Sequence, residues 1–310
     1  MTFYTTIIKG LMESLGVEVM LPPPITEETA RLGVKHSSLM MCYPFKVTLG
    51  SFLEVLERAK KENKRLTYFG VGTSSICMTS CRYQQYYEIH KKIAESLGYD
   101  FDTVLIEKKM GNVYMGVFDA FKRLNPENSY YKILRELLKA VRIMKKEERK
   151  NNFFDWNDHE SVRIGIVGEY YTVVESAINY NIFNKLREMG VNVHTFIKYS
   201  SDLKLDFSEE LPRRFKKEAR RYYKGDLRAQ GNNSHAALYF YKHKNFDAVI
   251  HLMPLSCMPE VTAAMVMDLT AEKLDLPLYR FEIDETNSEA NVNTRFEATI
   301  ELLKRKKGIK

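Results

Sequence analysis

From Asp247 to Glu260 the chain reads Asp-Ala-Val-Ile-His-Leu-Met-Pro-Leu-Ser-Cys-Met-Pro-Glu. The run Ala248 to Met253 has the near-continuous apolar pattern of a strand buried on both faces, which belongs to parallel sheets covered by helices. A helix opens directly behind it. Pro259 suits the first helical turn, where its missing N–H is not needed, and Glu260 complements the positive helix end. Val261, Ala264, Met265 and Leu269 then recur at helical spacing. Cys257, between strand and helix, is expected beyond the carboxyl end of a parallel strand and beside a helix N-terminus. Open α/β sheets place ligands there, and a thiolate is favoured there.

The same alternation runs through the rest of the chain. A helix over 4–15, a strand at Val17 to Leu21 and a helix opened by the capping residues of Thr26-Glu-Glu-Thr lead to a strand, Ser37 to Cys42. A helix over Val47 to Lys61, a strand over Leu66 to Gly72, a helix over Tyr83 to Leu97 and a strand over Phe101 to Ile106 follow, and 115–147 reads as helical. Asn151-Asn-Phe-Phe-Asp-Trp-Asn-Asp158 breaks the pattern and marks a domain boundary. Beyond it come strands at Val162 to Gly168, Val191 to Ile197 and Leu278 to Ile283, with helices near 175–189, 208–224, 233–243 and Asn293 to Arg305. The expected fold is α/β: two doubly wound, Rossmann-like parallel-sheet domains, 1–150 and 151–310. A chain of 310 residues supports two such cores.

With 45% apolar and 28% charged residues, the composition is that of a soluble globular protein. No apolar run approaches membrane-spanning length, and the N-terminus lacks the basic-then-apolar order of a signal peptide, so a cytoplasmic location is expected. The net charge of +7 is clustered in Arg213 to Lys224 and in Lys304 to Lys307. A solvated helix face accounts for such clusters more simply than nucleic-acid binding does, and a docking surface for an acidic partner, or for the phosphates of a nucleotide-like ligand, is the remaining reading.

Four cysteines in so long a chain do not form a disulfide framework, which leaves spare thiols or metal ligands. Cys42, Cys77, Cys81 and Cys257 each follow an apolar run, directly or by a short loop. Thiolates without supporting histidines favour iron–sulfur clusters or zinc. Structural zinc sites usually show two close pairs, whereas only Cys77 and Cys81 are close here, so a cluster clamped between two domains suits the scatter better. Unligated thiols remain open on spacing alone. Gly165-Ile-Val-Gly168-Glu169 resembles a Rossmann turn but lacks the third glycine. Asp284-Glu285 closes a strand, with Glu289 and Arg295 behind it; these carboxylates suit acid, base or ligand roles and equally suit helix capping. His251, inside its strand, reads as a satisfied core residue.

Several motifs along most of the chain resemble the acyl-CoA dehydratase activase-related proteins, also called CoA protein activases. These are relatives of the iron–sulfur subunits of 2-hydroxyacyl-CoA dehydratases and benzoyl-CoA reductases. Leu21-Pro-Pro-Pro-Ile-Thr-Glu-Glu-Thr-Ala-Arg-Leu-Gly33 leads into Cys42-Tyr-Pro44-Phe-Lys46-Val-Thr-Leu-Gly50, similar to the family's Cys-x-Pro-x-Lys-x-x-x-Gly. Cys81-Arg82-Tyr83 with Tyr86 and Tyr87 resembles its Gly-Pro-Cys-Arg-Phe-Gly-Tyr-Tyr. Gly168-Glu169-Tyr170-Tyr171 follows a Gly-Glu-x-Tyr turn. Pro254-Leu-Ser-Cys257-Met-Pro259-Glu260 follows Pro-Phe-Gly-Cys-Met-Pro-Glu, and Glu289-Ala290 with Thr294-Arg295 follows the closing segment.

The resemblance implies a [4Fe–4S] cluster, or a double-cubane variant, held at the domain interface by Cys42, Cys81 and Cys257. Lys46, Arg82, Pro254 and Glu260 are implied at the cofactor, and Glu169, Tyr170 and Glu289 as catalytic groups. It also implies an actin-like ATPase activase as ATP-dependent electron donor, an acyl-CoA or other small substrate to reduce or dehydrate, and a homodimer or paired related subunit. Thr79-Ser80 replaces the family's Gly-Pro, Gln84-Gln85 stands at its glycine, and Cys77 is additional. Cys77 as a fourth ligand would close the iron that relatives leave open, favouring electron transfer over catalysis. The alternative is a two-lobed ligand-binding or scaffold protein with inert or zinc-bound cysteines.

Overall fold

The computed structural model describes residues 3–71, 81–107, 109, 112–150, 154–197 and 211–309. They fall into two compact units: Met1–Met41 with Phe45–Lys146, and Cys42–Pro44 with Glu147–Lys310.

In the first unit α1 (Phe3–Ser14), α2 (Glu27–Lys35) and α3 (Tyr43–Lys61) precede β1 (Thr67–Val71). A short 3-10 turn (Arg82–Gln85) leads into α4 (Tyr86–Ser96), β2 (Asp102–Ile106), α5 (Val113–Leu124) and α6 (Tyr130–Lys150). β1 and β2 pair in parallel, Thr67 opposite Asp102 and Val71 opposite Ile106. Among the described residues this sheet has two strands, so the fuller sheet expected for the first half is not formed by them. Val17–Leu21 pairs with no strand among the described residues and stops at three prolines. The segment expected as the strand Ser37 to Cys42 is a turn instead. Ser37 N–H donates to the Val34 carbonyl (3.2 Å), Met41 N–H to that of Ser38 (3.0 Å), and Met40 N–H to Ser38 Oγ (3.3 Å). Such serine-to-backbone bonds compete with extended pairing. Helix α3 therefore starts four residues earlier than the sequence suggested, immediately after Cys42, with Pro44 in its first turn. It crosses α2 at two glycines. A Cβ on Gly33 would lie 1.6 Å from the Lys46 carbonyl oxygen, and one on Gly50 would lie 1.9 Å from that of Thr29.

The second unit holds β3 (Arg163–Gly168), α7 (Tyr170–Val174), α8 (Ile182–Glu188), β4 (Asn192–Thr195), α9 (Arg213–Ala219), α10 (Gly231–His243), β5 (Ala248–Pro254), α11 (Met258–Lys273), β6 (Leu278–Ile283) and α12 (Glu289–Lys307). Of the helix expected over 175–189 only α8 forms; the short α7 precedes it and 175–181 are turns. Buried Asn179 donates its amide to the Thr172 and Val173 carbonyls (3.0 and 2.8 Å), and Tyr180 and Asn181 turn the chain with positive φ. Of the basic helix expected over 208–224, α9 is the described helical part, and 208–210 lie outside the described residues, as do Gly72 and 151–153.

The four strands form one parallel sheet in the order β4-β3-β5-β6. β3 and β5 are buried along their whole length, as central strands covered on both faces must be. Leu278 packs into the core formed with α10 and α11. Phe281, an odd number of residues on and so on the opposite face, stacks at 3.9 Å on Phe296 of α12. The sheet is thus doubly wound. Chain order reverses between β3 and β5, which makes the crevice beyond their carboxyl ends the topological switch point.

Candidate functional site

That crevice is lined by the turn after β5 and the turn after β3. At the end of β5, Leu255 N–H donates to the Ile283 carbonyl (3.0 Å) and Cys257 N–H to that of Pro254 (3.1 Å), closing a four-residue turn. Ser256 carries its left-handed residue, φ 63°, at the position where the motif it resembles has glycine. Cys257 is the N-cap of α11, with Pro259 in the first turn. At the end of β3, Gly168 (φ 142°) approaches β5 so closely that a Cβ would lie 2.0 Å from the Leu252 carbonyl oxygen. Glu169 follows and caps α7: Oε1 accepts from Tyr171 N–H (3.0 Å), and Oε2 from Thr172 N–H (2.7 Å) and the Thr172 hydroxyl (2.8 Å).

Cys257 and Cys42 are both buried, and neither is in a disulfide. Burial pushes the Cys257 thiol far above its usual range; the carboxylates of Glu260 and Glu169 and the Cys42 sulfur push the same way, and the Glu260 N–H pulls against them. Burial likewise raises the Glu169 carboxyl, its capping bonds oppose the rise, and Glu260 adds to it. Two cysteines therefore converge in the second unit, each at the N-terminus of a helix with proline in its first turn.

A buried polar chain backs this site. His251 and Arg280 are register partners on β5 and β6, on the face that α11 covers. Arg280 Nε donates to His251 Nδ1 (3.3 Å), which leaves the imidazole proton on Nε2, where it donates to Glu260 Oε2 (2.8 Å). Arg280 is itself held by Asp268 Oδ1 (2.7 Å) and the Ala264 carbonyl (3.3 Å). Glu260 is fully buried, and its Oε1 has no hydrogen-bond partner among the described residues. Sequence reading left His251 in the core and did not connect it to Arg280. The available signal was a histidine interrupting an apolar strand two turns of chain before a first-turn glutamate.

Lys46 is buried on α3, one helical turn beyond Cys42. Cys81 is half-buried in the first unit, and the adjacent Arg82 donates Nη1 to the Met40 carbonyl (2.6 Å), two residues before Cys42. Pro254 ends β5 opposite Ile283. Tyr170 is the half-buried first residue of α7. Glu289 stands in the first turn of α12, exposed, where it accepts from Lys185 Nζ (2.8 Å), and that bond holds its carboxyl below the usual range. Cys77 lies outside the described residues.

Soft thiols at helix N-termini are a donor type suited to iron or zinc. Among the described residues, no group of three or more His, Cys, Asp or Glu is disposed to hold a metal ion, and no helix is long and apolar enough to cross a membrane.

The fold and the switch-point site define an α/β protein with parallel sheets. The family model described as "CoA enzyme activase uncharacterised domain" matches residues 1–197, and the chain belongs to this CoA activase-related family. The match includes Cys42, Cys77, Cys81 and the Glu169 turn, and stops before Cys257. No curated protein matches the chain.

Proposed function

We propose that this protein is an iron–sulfur member of its family, acting in ATP-driven, low-potential electron transfer to a small substrate, an acyl-CoA thioester by kinship. In this reading Cys42, Cys81 and Cys257 would hold a [4Fe–4S] cluster, and Cys77 is the candidate fourth ligand. The observation that carries it is the approach of Cys42 to Cys257 at the switch point of the sheet. When bound, such a group supplies low-potential electrons and an iron that acts as a Lewis acid. The protein's part is to hold and tune it. The Glu260 N–H is directed at the Cys257 sulfur, burial limits water, and the His251–Glu260 pair fixes the first turn of α11 behind Cys257. The firmly protonated Cys257 thiol makes loading proton-releasing, so iron uptake should strengthen as pH rises.

Anaerobic purification with iron and sulfide analysis tests the reading. A brown protein with near-stoichiometric iron and sulfide is expected, with iron largely lost in Cys42→Ser, Cys81→Ser and Cys257→Ser. A colourless protein that takes up no iron on reconstitution, or a Cys257→Ser protein with full iron content, defeats it. Cys77→Ser separates the two roles for that residue: retained iron with a spectrum newly sensitive to added thiols marks a ligand, and an unchanged spectrum marks a bystander.

A further inference from the structure

Helix α6 buries one face and leaves a second apolar strip open. Ile133, Ala140 and Met144 are on the buried face, and Ile133 joins the core made with Met12, Leu15 and Phe121. On the outside Tyr131 is 75% exposed, Leu134 45% and Leu138 47%, and half-buried Val141 continues the line. The spacing is three, four, three, the alternation of a two-heptad coiled-coil seam. At 3.6 residues per turn these four positions span about 80° of the helix surface. Beside the seam Arg135 and Arg142 stand one heptad apart, with Lys139 and Lys146 behind them and no carboxylate at these positions. Of the acidic residues near the seam, Glu136 points to the buried side and pairs with Arg135 (2.8 Å) and Lys139 (3.9 Å), and Glu148, one heptad after Val141, is buried.

We infer that this seam is a docking surface for an acidic amphipathic helix of another protein. The inference stands independently of the function proposed above. The partner helix presents its own apolar a/d row to Tyr131, Leu134, Leu138 and Val141, and carboxylates to Arg135 and Arg142. Charge decides against a second copy. Antiparallel isologous pairing along this seam sets the arginine row of one copy against the same row of the other, where like charges repel, and parallel pairing sets it against Leu137 and Met144, which offer no counter-charge. Width decides against a lipid surface: an interfacial helix submerges a broad apolar face, whereas here the opposite side of α6 is already buried in its own unit.

The test uses the full chain and a synthetic helical peptide about three heptads long, with leucine at a and d and glutamate at the flanking positions. Fluorescence anisotropy should show saturable, salt-weakened binding to this peptide, and none to its sequence-scrambled form or to its lysine-flanked counterpart. The Arg135→Glu/Arg142→Glu protein should bind the glutamate peptide at least roughly tenfold more weakly and gain binding to the lysine peptide. Leu134→Asp/Leu138→Asp, on an exposed face, should lose both while keeping its circular dichroism spectrum. Equal binding of scrambled and ordered peptides, or indifference to the charge reversal, overturns the inference. So does self-association in sedimentation, or binding to anionic vesicles, that the leucine variants abolish.

Discussion

His251 Nε2 and Glu260 Oε2 lie 2.8 Å apart with both side chains fully buried, and the hydrogen bond from Arg280 to Nδ1 fixes which nitrogen carries the proton. Strand β5, the helix behind Cys257 and, through Arg280, strand β6 are thereby locked at one point. His251→Ala leaves a carboxylate buried without its donor, and should cost about 3 kcal/mol of unfolding free energy. Urea denaturation of the variant measures it. A loss under about 1 kcal/mol would mean that water replaces the imidazole at little cost.

Acid should destabilise the first unit through His90. This residue is buried against Phe45 and Tyr86, and burial lowers its pKa to about 4, although a hydrogen bond to the Phe45 backbone opposes the drop. The unfolded chain takes up this proton near pH 6.5, and the folded chain refuses it until about pH 4. Stability is therefore full above pH 6.5 and falls across that window, by up to about 3 kcal/mol. His235, whose pKa burial also lowers to about 4, adds the same dependence in the second unit. Denaturation of His90→Phe at pH 7 and pH 4.5 should show a smaller difference between the two pH values than the unsubstituted protein does. An identical difference would place the acid sensitivity elsewhere.

The α2–α3 crossing predicts intolerance at Gly33 and Gly50. An added Cβ meets a backbone carbonyl oxygen at 1.6 or 1.9 Å, a contact that side-chain rotation does not relieve. Gly33→Ala and Gly50→Ala should each cost on the order of 3 kcal/mol, the upper range for overpacking. Thermal melts distinguish this from the small change expected at Gly10, which has open space around it.

Ser256 predicts the opposite sign. A non-glycine residue in left-handed conformation costs roughly 1–2 kcal/mol, so Ser256→Gly should raise stability by about 1 kcal/mol, less what the looser unfolded chain takes back. An unchanged or lowered melting temperature would show that the Ser256 side chain contributes a compensating contact.

What the sequence by itself determined is local. Val162 to Gly168, Ala248 to Met253 and Leu278 to Ile283 read as strands because apolar runs between turn residues leave few other solutions. The N-terminal position of Cys257 on its helix followed from Pro259 and Glu260, whose preferences depend on the first turn alone. Ser37 to Cys42 was misread because its apolar residues suggest a strand, whereas the Ser38 hydroxyl and local backbone bonds satisfy the turn and leave Leu39 and Met40 facing water. Only the tertiary structure decided that the chain reverses between β3 and β5, bringing Glu169 to Cys257. It alone decided that Arg280 stands beside His251 and sets its tautomer. Strand order and register are settled by which buried faces match across the sheet, and that free energy exists only once distant segments have been brought together.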